Sequence, residues 1–236
     1  MKSDKMSINV LAFNCSQKEN NGNTARVLEP LLEGMSKAGA NVELFYTNRL
    51  NIEKCRACTE DLNFISPGEC LIVDDMKYIY PKLRSADLWV FASSNINADN
   101  NGALIKLLDR LEPLFDPFLG HNNGTKVPIT NPAKGKVLLL STDNEFERTV
   151  FQPLIQHLES VCGLFGRDFI GSILRPHAWT LQAKDLFGKK VDEFLGSVRL
   201  AGEEIIKNGK ITPDTNGALN KDIVSRNAFV LELINN

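Results

Sequence analysis

The chain has 236 residues, with 27 Lys and Arg against 29 Asp and Glu and a formal net charge of −2. That balance rules out a strong electrostatic case for nucleic-acid or anionic-membrane binding, and no apolar run approaches the ~18 residues of a spanning helix. Hydrophobic residues make up 43% and charged residues 24%, as in an ordinary globular domain; the polar start Met1–Ser7 has no apolar signal core, so a cytoplasmic protein is expected. Ile8–Phe13 is a short, nearly continuous apolar run, which suits a central strand covered on both faces. From Thr24, the residues Val27, Leu28, Leu31, Leu32 and Met35 recur at helical spacing, and Gly39 supplies a stop. Val42–Tyr46 reads as a second strand. Asp74-Asp75-Met76 looks like the acidic start of a second helix, whose middle Pro81 leaves open.

Leu88–Ala92 reads as the third strand, and Leu104, Leu107, Leu108 and Leu111 mark a helix over Gly102–Phe115. Residues 116–135 are rich in Pro, Gly and Asn and read as a long loop, either a working loop or an oligomer contact. Val137–Leu140, Phe151–Phe165, Phe169–Leu174 and Asp185–Asn208 then give strand, helix, strand and a long amphipathic helix. Strands alternating with helices predict an α/β three-layer sandwich around a five-stranded parallel sheet. We expect one domain over 1–208 and a turn-rich, helical tail over 209–236 that packs on the domain or on a partner subunit.

The segment Asn14–Thr24 joins the first strand to the first helix and is rich in small, amide and hydroxyl residues. A loop running into a helix N-terminus presents free N–H groups and partial positive charge to an anion. Ser16, Asn23 and Thr24 offer neutral donors, and Lys18 would lie near a phosphate without touching it. The same residues also suit an ordinary capped turn. GxGxxG and GxxxxGK[ST] are both absent, which argues against a Rossmann dinucleotide site and a nucleotide triphosphatase. No serine sits in a GxSxG elbow.

The loop Ser16…Gly22-Asn23-Thr24 resembles the phosphate loop of flavodoxin-like NAD(P)H-dependent FMN reductases and their iron–sulfur flavoprotein relatives. The resemblance continues in order through Cys55-Arg56-Ala57-Cys58, Gly68–Met76, Ala86–Ser93 and Leu104–Arg110. It implies an FMN whose phosphate meets Ser16, Asn23 and Thr24. The ring would lie against Ser94, Asn95, Ile96 and Asn97 after strand three, and near Ser141, Thr142, Asp143 and Asn144 after strand four. All three loops follow the carboxyl ends of strands, where open α/β sheets bind ligands. Family members often carry a proline and aromatic residues in the second loop and paired glycines in the third. Here those places hold Ser94, Ile96, Asn97 and Asp143-Asn144.

The implied activity is an oxidoreductase that passes hydride from NAD(P)H through flavin to a small acceptor, such as a quinone or another flavin. No acid–base side chain is required of it, because the cofactor carries the chemistry. The alternatives are an electron carrier serving a protein partner, and a cofactor-free binding scaffold. A homodimer or homotetramer is expected by resemblance.

Cys55 and Cys58 form a C-x2-C pair, with Cys70 further on. Thiolates at this spacing suit zinc or an iron–sulfur cluster, a reversible thiol pair, or simple packing. The iron–sulfur flavoproteins use a compact run whose third cysteine soon follows the pair; Asp61 stands in that place, so no cluster is expected. Cys15 reads as a small residue facing core or cofactor, with a helix N-terminus able to activate it. Cys162 reads as core. His121, His157 and His177 lack ligand spacing. Asp109-Arg110 reads as a helix-surface ion pair in preference to a dimer contact.

Overall fold

The computed structural model describes residues 7–58, 69–95, 102–122, 125–128 and 135–227, with only the backbone described over 115–122 and 125–128. Five strands, β1 (Asn9–Asn14), β2 (Asn41–Tyr46), β3 (Leu88–Ser94), β6 (Lys136–Thr142) and β7 (Asp168–Arg175), form one sheet in the order β2-β1-β3-β6-β7. All four pairings are parallel. Counting only these strands, the order is 2-1-3-4-5, the flavodoxin-like winding, with its switch point between β1 and β3.

Period-2 side-chain alternation divides each central strand between two cores. On one face Val10, Ala12, Val90, Ala92, Leu138 and Leu140 pack against α1 (Asn23–Lys37) and α5 (Lys184–Asn208). On the other, Leu11, Phe13, Trp89, Phe91 and Leu139 meet α2 (Met76–Ser85), α3 (Gly102–Asp109) and α4 (Gln152–Phe165). Burial on both faces is why these strands read as unbroken apolar runs.

The crossing of α1 and α5 rests on two glycines. A Cβ at Gly34 would stand 1.9 Å from the Arg199 carbonyl oxygen, and one at Gly202 would stand 2.2 Å from that of Leu31. The helix backbones therefore touch, flanked by the Lys37–Glu203 and Arg199–Glu33 ion pairs.

Two expectations need correction. The helix starting at Gly102 ends at Asp109 rather than Phe115: Arg110 and Leu111 bond back to Leu107 and Leu108, tightening the chain into i→i−3 turns, and a 3-10 helix over Glu112–Leu114 follows. Residues 116–135 are not all loop: β4 (Phe115–Asn122) and β5 (Thr125–Pro128) form a separate antiparallel ladder, with Phe115 opposite Pro128 and Asn122 opposite Thr125. The helix α2 runs through Pro81, held by the buried Ile79 and Leu83 and by the Tyr80 hydroxyl, which donates to the Arg110 carbonyl at 2.9 Å.

The tail opens with α6 (Pro213–Leu219), which Thr212 caps by accepting from the Thr215 N–H. Long cations then hold the chain down. Arg175 donates to the Lys221 carbonyl at 3.3 and 3.2 Å, Arg148 to that of Asn220 at 3.0 Å, and Lys190 to that of Ile223 at 3.0 Å. No helix among the described residues is long and apolar enough to cross a membrane.

Candidate functional site

The loop from β1 to α1 is folded by its own amides. Buried Asn14 accepts from the Ser16 N–H at 3.0 Å and donates to the Glu19 carbonyl at 3.2 Å, an Asx-type turn. From the neighbouring strand end, Asn48 donates to the Ser16 carbonyl at 3.0 Å. Gly22 is the residue before α1, and no side chain caps the helix there. A Cβ at Gly22 would meet Lys18 Cβ at 3.0 Å and Ser16 Oγ at 3.4 Å, so a side chain here would crowd the turn. The first N–H groups of α1 have no partner within the helix, and the dipole adds partial positive charge.

Two further strand ends close the site. Thr24 and Thr142 join their hydroxyls at 2.9 Å across 118 residues of sequence, tying the start of α1 to the end of β6. Asn95 uses its side-chain amide to donate to Asp143 Oδ2 at 2.6 Å and to the Val150 carbonyl at 3.1 Å. The other Asp143 oxygen accepts the Glu145 N–H at 2.8 Å. The result is a cleft of about 320 Å³ lined by Ser16, Gln17, Lys18, Gly22, Asn23, Thr24, Ser94, Asn95, Thr142, Asp143, Asn144 and Ala178. A larger hollow of about 680 Å³, beside Asn9, Leu88 and Lys136, sits at the amino ends of the strands, away from the carboxyl ends where such sheets bind ligands.

Of the residues expected from sequence, Ser16, Lys18, Asn23, Thr24, Ser94, Asn95, Thr142 and Asp143 come together in this cleft. Ser141 stands apart: fully buried, it donates to the Ser93 carbonyl at 3.1 Å and ties β6 to β3. Ile96 and Asn97 lie outside the described residues. Asn23 is oriented from a distance, its side-chain oxygen accepting from Gln182 at 2.8 Å. Sequence reasoning missed Gln182 and Ala178; the signal was their place after the last strand, whose carboxyl end also borders the cleft.

Several side residues change their roles. Cys15 is wholly buried, and burial pushes its thiol up to about 12, which removes the activated-thiolate reading. Cys162 is core, as expected. Arg110 is not a surface partner of Asp109. It is 1% exposed and grips buried Asp74 through two parallel bonds, Nη1 to Oδ2 at 2.5 Å and Nη2 to Oδ1 at 3.1 Å. Burial pulls the Asp74 carboxyl upward, yet the Arg110 and backbone hydrogen bonds outweigh it and leave the group below the usual range. Among the described residues, no group of three or more His, Cys, Asp or Glu is arranged to hold a metal ion.

His177 lies behind the cleft, completely buried and stacked on Phe146 with ring centres 4.8 Å apart. Neither ring nitrogen has a hydrogen-bond partner among the described residues. Burial first, then the Arg175 charge, pushes the imidazole down to about 4; Arg148 adds to the effect and Asp222 opposes it. A depressed imidazole stays neutral in the fold while the unfolded chain takes up a proton, so this contribution is lost as pH falls from about 6.5 towards 4. Unfolding in urea at pH 7 and pH 5 should show about 2 kcal/mol of stability lost through this group. The variant His177→Asn should have a correspondingly flatter acid slope.

A model of the NADPH-dependent FMN reductase family matches residues 8–140, more than half of the chain. The chain belongs to that family. The match contains the β1–α1 loop and the end of β3, and it stops just before Thr142 and Asp143. An iron–sulfur flavoprotein of Archaeoglobus fulgidus is 29% identical over 101 residues, which are 43% of this chain and 47% of that protein. The chain thus spans about half the length of this curated relative.

Two of the solved structures similar to this chain show the same fold. The NAD(P)H:quinone oxidoreductase of Methanothermobacter marburgensis is 17% identical, with TM-score 0.61 over 84% of this chain and 97% of that one. An FMN-dependent NADH-azoreductase of Bacillus anthracis, solved with FMN, is 11% identical, with TM-score 0.60 over 84% and 99% of the two chains. Within this family, the uncapped α1 N-terminus, the open turn at Gly22 and the Ser16 hydroxyl fit a phosphate monoester.

Proposed function

We propose that the chain is an FMN-dependent oxidoreductase that passes reducing equivalents from NAD(P)H to a quinone, a flavin or another small acceptor. One observation carries this reading. The helix start that no side chain caps opens into the cleft built at the carboxyl ends of β1, β3 and β6, in a chain of the FMN reductase family. When bound, FMN supplies the redox chemistry. The chain's residues do the rest: the Ser16 hydroxyl and the first N–H groups of α1 bind the phosphate, and Lys18 at the rim adds attraction. The Thr24–Thr142 bridge fixes the cradle, and Asn95 locks Asp143 so that the third loop holds one shape.

Titration of the purified protein with FMN, followed by fluorescence quenching, tests the reading, with NADPH then added to bleach the bound flavin. Ser16→Ala should weaken FMN roughly 10- to 100-fold, the effect of losing a hydrogen bond to a charged group. Binding of riboflavin, which lacks the phosphate, should change little in that variant. Absence of saturable binding would remove the flavin assignment; binding without bleaching would favour a carrier that takes electrons from a protein. A homodimer or homotetramer belongs to the same proposal, and sedimentation measures it.

A further inference from the structure

Away from the cleft, the sulfurs of Cys55, Cys58 and Cys70 belong to residues that line one small cavity of about 20 Å³, together with Arg110. The arginine is 1% exposed, and its Nη2 donates to Cys70 Sγ at 3.5 Å while Nε has no acceptor among the described residues. Asp74 balances the guanidinium charge, so the cation stays fixed beside the sulfur. Cys58 and Cys70 are half-buried and Cys55 is exposed. A small oxidant can therefore enter, in contrast with Cys15 and Cys162, whose buried thiols are pushed up to about 12.

We propose that Cys58 and Cys70 form a reversible disulfide on exposure to a hydroperoxide, with Arg110 positioning the Cys70 sulfur. The Cys70 sulfur attacks the peroxide oxygen and the O–O bond breaks, giving a sulfenic acid and releasing water or an alcohol. Cys58 then attacks the Cys70 sulfur. The S–O bond breaks, the S–S bond forms, and the departing hydroxide takes the Cys58 thiol proton and leaves as water. Two electrons leave the sulfur pair and reduce one peroxide. Cys58 is the partner because it is half-buried at the cavity, as Cys70 is, whereas the Cys55 side chain is open to solvent. The cross-link would tie the segment carrying Glu53, whose carbonyl accepts from Arg110 at 2.9 Å, to the strand of chain leading into α2.

The test treats the full chain with hydrogen peroxide, then counts thiols after denaturation and maps peptides without reduction. Of the five cysteines, the titratable number should fall by two, with a Cys58–Cys70 peptide that dithiothreitol reverses. Cys70→Ser and Cys58→Ser should abolish that cross-link, and Cys55→Ser should keep it. A Cys55–Cys58 link alone, sulfinic acid without any link, or no loss of thiols would overturn the proposal. So would uptake of ferrous iron and sulfide by the untreated protein into a coloured species that all three cysteines are needed to hold.

Discussion

Arg110→Met should lower the unfolding free energy by about 3–5 kcal/mol, the cost of leaving one member of a buried ion pair without its partner. The geometry explains the size. Asp74 contributes both oxygens to the guanidinium and also accepts the Glu53 N–H at 2.9 Å and the Met76 N–H at 3.0 Å, with no side-chain exposure of its own. Without the arginine, a carboxylate remains in a dry site with two backbone donors. The double variant Arg110→Met/Asp74→Leu should recover much of the loss, because well-packed apolar replacement of a buried pair is often close to neutral. Urea unfolding of the single and double variants measures this. In the wild type, a depressed carboxyl contributes stability above its unfolded value that is lost as pH falls through its folded one. The penalty of Arg110→Met should accordingly shrink in acid, where protonation discharges the stranded group. Equal losses in single and double variants would show that packing, rather than charge compensation, sets the effect.

The second large effect comes from helix contact. Gly34→Ala should cost about 3 kcal/mol, at the upper end for overpacking. The new Cβ would fall 1.9 Å from a backbone carbonyl oxygen, which cannot swing aside as a side chain can. Gly196→Ala, in α5 but with open space at its Cβ, should instead stabilise by about 0.5–1 kcal/mol through helix propensity alone. Thermal melts of the two variants should therefore shift in opposite directions. A small shift for Gly34→Ala would mean that α1 and α5 slide apart without penalty.

The sheet was legible because its chemistry is local. Runs such as Leu88–Ala92 and Val137–Leu140 are apolar throughout, and a strand covered on both faces needs nothing else. Their observed ends differ from the expected ones by only one or two residues. The hairpin at β4 and β5 was obscured because Pro117, Gly120 and Asn122 count as loop residues, although Asn123-Gly124 is itself a hairpin signal. Arg110 and Asp74 escaped notice for a different reason. Their pairing spans 36 residues, and adjacent charges such as Asp109-Arg110 attract the eye although neighbours on a helix do not face each other. The β1–α1 wall of the cleft could be read because Ser16, Gly22, Asn23 and Thr24 lie in one segment. Ala178 reaches the cleft, and Gln182 reaches Asn23 at its edge, only through the winding of the chain, which no local pattern encodes.

The hydroxyl bridge between Thr24 and Thr142 has a thermodynamic consequence. A recess whose opposite walls are already bolted together has its shape before any guest arrives, so docking would surrender little conformational freedom. Favourable contacts would then appear almost undiminished in affinity, as in any preorganised receptor. The same bolt joins the beginning of the chain to its second half. A guest seated there would therefore brace the whole domain against unfolding, instead of stiffening one loop.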